Sequence, residues 1–319
     1  MNTKKYIRVC QFCILIIVLM QIVALTGCNS FRINKKDDEV QHLVSENTKG
    51  YYFDLYTAKS KNQERKGIIE LKKYNEDMFF RVENGAQKRQ FSVQVFIDYR
   101  QVPIKIDGTE YDTFFIDAPE NFGRDFTFQL VEPIDTNYNH SLLAILTAGT
   151  DVLTNEVNFK MSDNYSIAID HVLSFGRDNA MVQPKYNIEK TETVTEYQAA
   201  GLLLNTDIKE YKRTIPDREL KLLAGEEFSL QYQVGGYENC KEVAVIVTIG
   251  SKQSDINNQD YILCEVENGA LVRGTANINA PHQEGKYEIM GWVIKDPFDV
   301  DKTEYMPLDS SYRFTLNVE

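Results

Sequence analysis

The chain of 319 residues carries 35 Lys and Arg against 47 Asp and Glu, a formal net charge of −12. That balance argues against nucleic acid, whose phosphates are neutralised by a surplus of Lys and Arg, and against lying flat on an anionic leaflet. Five cysteines in a chain of this length are too few for a disulfide scaffold.

The first element is a basic start at Lys4, Lys5 and Arg8, followed by an apolar run from Val9 to Val23 interrupted only by Gln11 and Gln21. The run is short against the ~20 residues needed to cross a bilayer as a helix. It ends in Leu25-Thr26-Gly27-Cys28, and small residues before a cysteine complete a secretory signal. This ending resembles the lipobox of bacterial lipoproteins. The resemblance implies cleavage after Gly27 and a diacylglyceryl thioether on Cys28, which holds the chain on the outer side of the cell membrane. Cleavage would remove three cations and no acid, taking the net charge from −12 to −15. It would also remove Cys10 and Cys13. The alternative is an uncleaved anchor, which leaves the chain equally attached and facing outward.

Residues 28–48 are polar and charged and read as a tether between lipid and folded mass. Residues 49–213 read as a first domain of short strands. The runs Tyr51–Tyr56, Ile68–Tyr74, Met78–Glu83, Phe91–Tyr99, Val102–Ile106, Phe114–Ile116, Phe126–Val131 and Ser141–Thr147 are rich in β-branched and aromatic residues. Phe91, Val93, Val95 and Ile97 fall on one face, with Ser92, Gln94 and Phe96 on the other, the period of a half-buried strand. Asn84-Gly85, Asp107-Gly108 and Asn121-Phe122-Gly123 supply turn chemistry. Residues 174–217 are expected to add a strand or two to this domain before a linker near Thr214-Ile215-Pro216.

Residues 214–319 read as a second domain. Strands are expected at Leu220–Leu223, Phe228–Val234, Val243–Ile249, Tyr261–Val266, Ala270–Ala276, Tyr287–Ile294 and Tyr312–Val318, spaced as in an antiparallel sandwich. The segment Glu284-Gly285-Lys286-Tyr287-Glu288-Ile289 before Trp292 resembles the late strand entry of bacterial immunoglobulin-like domains. The fold class is therefore all-β, two β-sandwiches with the C-terminal one immunoglobulin-like. No short-period repeat is visible.

Motifs with a chemical reason for their spacing are missing: there is no HExxH, no Gly-x-Ser-x-Gly, no Ser-x-x-Lys and no Gly-rich phosphate loop. His42, His140, His171 and His282 are scattered and read as surface or capping residues. Asp296, Asp299, Asp301 and Glu304 offer oxygen ligands for calcium, but Pro297 and Phe298 interrupt them and the spacing is not that of an EF-hand, so a solvated acidic turn is the preferred reading. Cys240 and Cys264 flank one hairpin, either as a disulfide or as two buried thiols. Adjacent aromatics on a strand point to opposite faces, which makes Phe114, Phe115 and Phe122 candidates for a contact surface.

The sequence thus predicts a lipid-anchored binding module without cofactor or enzymatic activity, its partner a protein or a cell-wall glycan. The alternatives are an accessory subunit of an export or uptake system and, last, a carboxylate-dependent enzyme.

Overall fold

In the computed structural model the described residues are 50–59, 67–155, 166–176, 179–194, 200–209, 217–299 and 308–319. They contain β1 (Tyr51–Thr57), β2 (Ile68–Glu70), β3 (Met78–Asn84), β4 (Arg89–Ile97), β5 (Arg100–Gln101), β6 (Ile104–Ile106), β7 (Thr109–Tyr111), β8 (Phe114–Ala118), β9 (Phe122–Leu130), β10 (His140–Ala148) and β11 (Ser166–Ser174). There follow β12 (Glu192–Thr193), β13 (Gly201–Asn205), β14 (Glu219–Leu222), β15 (Glu227–Gly235), β16 (Glu242–Ile249), β17 (Lys252–Ser254), β18 (Ile262–Glu265), β19 (Leu271–Asn279), β20 (Gly285–Lys295), β21 (Leu308–Ser310) and β22 (Phe314–Val318). The lipobox residues Gly27 and Cys28, the linker at 214–216, and Asp301 and Glu304 lie outside the described residues.

The strands form four sheets. Sheet I runs β1-β3-β9-β6-β7, and sheet II runs β2-β11-β10-β4-β5 with β8 also on β4. Sheet III runs β14-β22-β20-β16-β17, with β18 on β16 and β21 on β20, and sheet IV runs β12-β19-β15-β13. Alternation builds the sandwiches. Phe53, Phe80, Val82, Val93, Val95, Leu142 and Leu146 fill the core between sheets I and II. Leu230, Tyr232, Val234, Val245, Val247, Val293 and Leu316 do the same between sheets III and IV. At one point the core is filled across the ladder: Gly274 faces Tyr232, and an added Cβ there would stand 2.2 Å from the Tyr232 hydroxyl oxygen.

The described residues form one compact unit, and the reason is a third core. Phe96, Tyr99, Leu143, Ile145 and Ala168 of the first sandwich pack against Ala244, Ile246, Tyr261, Leu263, Met290, Trp292 and Ile294 of the second. Sheets II and III therefore lie face to face, and the order of layers is I, II, III, IV. Each large apolar side chain fully buried there stabilises by about 1.5–3 kcal/mol, so parting the two sandwiches amounts to unfolding rather than hinge motion. The expectation of half-buried strands fails here for a specific reason. Ser92, Gln94 and Phe96 are turned away from their own sandwich core, yet each is at most 1 % exposed because the second sandwich covers them. Trp292 likewise leaves its own core and donates from Nε1 to Thr248 Oγ1 at 3.3 Å in the third core.

Both sandwiches share one plan. A short edge strand pairs parallel with the last strand of its sandwich, β2 with β11 and β14 with β22. In each, the central strand of the buried sheet turns into its neighbour through two residues at positive φ: Asp98 (50°) and Tyr99 (65°), then Gly250 (60°) and Ser251 (64°). This is the type I′ geometry that matches strand twist. The match extends to sequence, Val93-Gln-Val-Phe-Ile-Asp-Tyr-Arg-Gln101 against Val245-Ile-Val-Thr-Ile-Gly-Ser-Lys-Gln253. The chain is a structural duplication whose copies meet through equivalent faces.

One domain boundary is corrected by the pairing. The strands expected to extend the first sandwich, β12 and β13, hydrogen-bond β19 and β15 of sheet IV. Leu202 and Leu204 supply apolar side chains to the second core, so the second sandwich starts before residue 214.

Candidate ligand-binding face

The sequence-predicted site residues separate on inspection. Of the aromatic trio, Phe114 packs edge-on against Tyr111 at 5.1 Å and Phe126 at 5.2 Å. Phe122 is half-buried against the same core. Phe115, opposite Ser92 in the β4–β8 register, is 50 % exposed. A contact surface built on all three is not formed, because β8 turns Phe114 inward to close the first core.

Cys240 and Cys264 are free and buried. Cys264 stands opposite Val243, three positions along from Cys240, and the two thiols have different partners. Cys240 donates to the Glu242 carbonyl at 3.2 Å, and Cys264 lies 3.7 Å from the Tyr232 hydroxyl oxygen. Burial pushes the Cys240 thiol up to about 11 and the Cys264 thiol up to about 12. The reading as two buried hydrophobes holds here.

Asp296 belongs to a turn that docks. Its carboxylate accepts from the backbone N–H of Lys241 at 2.9 Å, while the residues that interrupt the acids make the contact. The Tyr99 hydroxyl donates to the Pro297 carbonyl, and Phe298 packs edge-on to Tyr99 at 5.4 Å. Among the described residues no group of His, Cys, Asp and Glu is placed to hold a metal. Beneath this turn Ser141 Oγ donates to Asp170 at 2.7 Å. Burial, then the Asp170 charge, push the Tyr99 hydroxyl well above its ordinary range and keep it a donor.

The duplication places a second docking point at the equivalent position of the other sandwich. Arg313 pairs with Glu288 at 3.0 Å, and its guanidinium donates to the carbonyls of Ala148, Gly149 and Val152 in the loop after β10. Glu288 accepts from Thr154 N at 2.9 Å and Thr315 Oγ1 at 2.6 Å. Each sandwich thus seats a loop of the other. His140 and His171, expected as surface or capping residues, are 4 % and 8 % exposed. His140 faces the Asp98 carboxylate through Nδ1 at 2.7 Å and the Asp135 carbonyl through Nε2 at 2.8 Å. Two acceptors require a proton on both nitrogens. Burial opposes the charge, but the Asp98 hydrogen bond and charge, with the Asp135 carbonyl, outweigh it and raise the imidazolium pKa.

With sheets II and III covered, the outer faces of sheets I and IV remain. Sheet I presents a flat ladder: Tyr56 stacks on Phe79 at 5.5 Å, and Arg81 bridges Glu83 and Asp125 at 2.5 and 2.9 Å. Sheet IV carries a concavity of about 580 Å³. Its floor is the outward row of β19, Arg273, Thr275, Asn277 and Asn279, joined by Gln231 of β15, and its walls are Glu189–Glu192 and Asp255–Asn258. Arg273 donates from Nη2 to Gln233 at 3.0 Å, while its Nε is buried with no hydrogen-bond partner. Asn257 braces the β19 edge, its N–H donating to the Asn277 carbonyl and its Oδ1 accepting from Asn277 N, both at 3.0 Å. The sequence signal for this face was the all-polar outward row of β19, set against an inward row of Val272, Ala276 and Ile278.

No family model and no curated protein matches the chain. Solved structures match only weakly. A red sea bream transglutaminase matches at 10 % identity and TM-score 0.23 over 84 % of this chain, which spans only 31 % of that enzyme. The C-terminal domain of the Streptococcus agalactiae antigen I/II polypeptide BspA matches at 7 % and 0.23, covering 84 % of this chain and all of that domain. The Salmonella enterica SafA pilin with its SafB chaperone matches at 14 % and 0.24, covering 85 % and 98 %. Across its described residues this protein is all-β, two β-sandwiches packed face to face.

Proposed function

We propose that this protein is a non-catalytic binding module, held on the outer face of a bacterial membrane by a lipid on Cys28, whose partner is a protein or a cell-wall glycan. The observation that carries the reading is the use of sheets II and III against each other. It makes the two sandwiches one stiff body and leaves the polar concavity of sheet IV as a recessed accessible surface. The buried titratable groups support it: Arg313, Glu288, Asp170 and His140 are engaged in joining or bracing the sandwiches rather than lining a cleft. A net negative surface keeps such a body soluble, and stable anchoring needs the two acyl chains that a diacylglyceryl group supplies.

Metabolic labelling with a clickable fatty acid tests the anchor: wild type should label and Cys28→Ala should not. Crosslinking on intact cells tests the module, which should capture a defined envelope protein or wall fragment. Equal labelling of both chains, or recovery of the intact chain from cytosol, overturns the reading.

A further inference from the structure

We infer that the concavity on the outer face of sheet IV is a glycan site, built for a neutral or amino-bearing sugar unit. The inference rests on the module reading and names its ligand. A volume of about 580 Å³ lies within the range of roughly 300–1,000 Å³ occupied by small-molecule sites. The lining is planar and polar. The amides of Asn257 and Asn277 hold each other and the β19 backbone, and Gln231 Oε1 accepts from Ile208 N. Their remaining donors and acceptors, with the guanidinium of Arg273, lie in fixed planes, which suits vicinal hydroxyls. Arg273 Nε has no hydrogen-bond partner although buried, and a buried donor left unpaired is destabilising. A turn of the guanidinium that brings this N–H out to a ligand oxygen would give it a partner.

Charge narrows the class. Glu189, Glu192, Glu227 and Asp255 outnumber Lys190 and Arg273 around the rim, so phosphate- or carboxylate-rich polymers are repelled while a neutral or cationic sugar is not. Strand addition by a peptide is blocked. The β19 edge is already engaged by β12 at Val272 and Arg273, by Val194 N at Leu271 O, and by Asn257 at Thr275 and Asn277. Side chains, not a free ladder, are what this face offers.

The test uses the full chain in detergent. It is presented to an array of neutral oligosaccharides and amino-sugar oligomers, with a glycerol-phosphate polymer as the anionic arm. Binding to a neutral or amino-bearing glycan is expected, weakened at least tenfold by Arg273→Met and by Asp255→Asn, each with an unchanged melting temperature. Asp255 is exposed, so the second variant tests the site even if the first fails to fold. Absence of glycan binding, selective capture of the anionic polymer, or unchanged binding by a folded Arg273→Met chain overturns the inference. Fatty-acid labelling at Cys28 separates the two proposals: labelling without glycan binding removes the sugar site and leaves the anchored module.

Discussion

Gln101 and Gln253 bond to each other twice, each side-chain carbonyl accepting the other's backbone N–H at 2.6 Å. They occupy equivalent places in the two halves of the duplication, so the pair marks the pseudo-twofold axis on which the sandwiches meet. Gln253 Nε2 also donates to the Tyr99 and Asp260 carbonyls at 2.8 and 2.7 Å, and Gln101 Nε2 donates to Asp112 O at 2.7 Å. Replacing either by Ala strands a backbone N–H and frees carbonyls, at about 1–3 kcal/mol. The two single variants should lose similar stability in urea, with a coupling of about 0.5–3 kcal/mol in the double-mutant cycle. One cooperative transition should persist; two separated transitions in wild type would contradict the fused-sandwich account.

The Arg313–Glu288 pair should be costly to break and cheap to replace. Arg313→Met leaves Glu288, whose side chain is 11 % exposed, without its cation, and three carbonyls without donors. Losses of about 3–5 kcal/mol are typical when one partner of a buried pair is removed. The double variant Arg313→Met, Glu288→Leu should recover part of that loss. Denaturant midpoints of the single and double variants provide the measurement, and an Arg313→Met midpoint equal to wild type would refute the role.

His140 gives the fold a pH dependence of defined sign. Its pKa is raised in the folded state, so its contribution is fully present below the unfolded value of about 6.5. That contribution is lost as pH rises through the folded value. Stability should therefore decline on the alkaline side of about pH 6.5, and the decline should flatten in His140→Gln. A wild-type profile parallel to that of the variant would remove His140 as its source.

The two thiols should be silent in the native chain. With Cys240 3 % and Cys264 0 % exposed and both pKa values raised, iodoacetamide at pH 8 should modify neither within the time it takes to label both in denaturant. Labelling of the unfolded chain should need no reductant. A requirement for reductant would show the bridge that the folded geometry lacks.

Strand positions were legible because alternation is local. Phe91, Val93, Val95 and Ile97 report one buried face whatever lies beyond them. What covers the other face is not local: Ser92, Gln94 and Phe96 carry no mark distinguishing solvent from a second sandwich. The uninterrupted run Leu142–Leu146 did carry one, since a strand apolar on both sides is a strand buried on both sides. Asn84 shows the same limit at a turn. Next to Gly85 it reads as turn chemistry, but its side chain is fully buried and donates to the Ala118 carbonyl at 3.2 Å, a contact with a distant part of the chain. The acids after Trp292 carry the visible pattern, while the docking is done by Pro297 and Phe298, whose role depends on Tyr99 nearly two hundred residues earlier. The sheet IV concavity was invisible for a related reason. Its walls come from segments whose placement against β19 no spacing rule specifies.

The reciprocal seating of loops also bears on how the chain emerges during synthesis. Sheet II can assemble once Ser174 is made, but Phe96, Leu143 and Ile145 then stand bare until Ile294 follows, about 120 residues later. At about 5–20 residues per second that is roughly 6–24 s of exposed grease on a nascent sheet. The N-terminal half must spend that interval shielded or unfolded, and a chain stopped early would leave behind a sticky fragment rather than a smaller working protein.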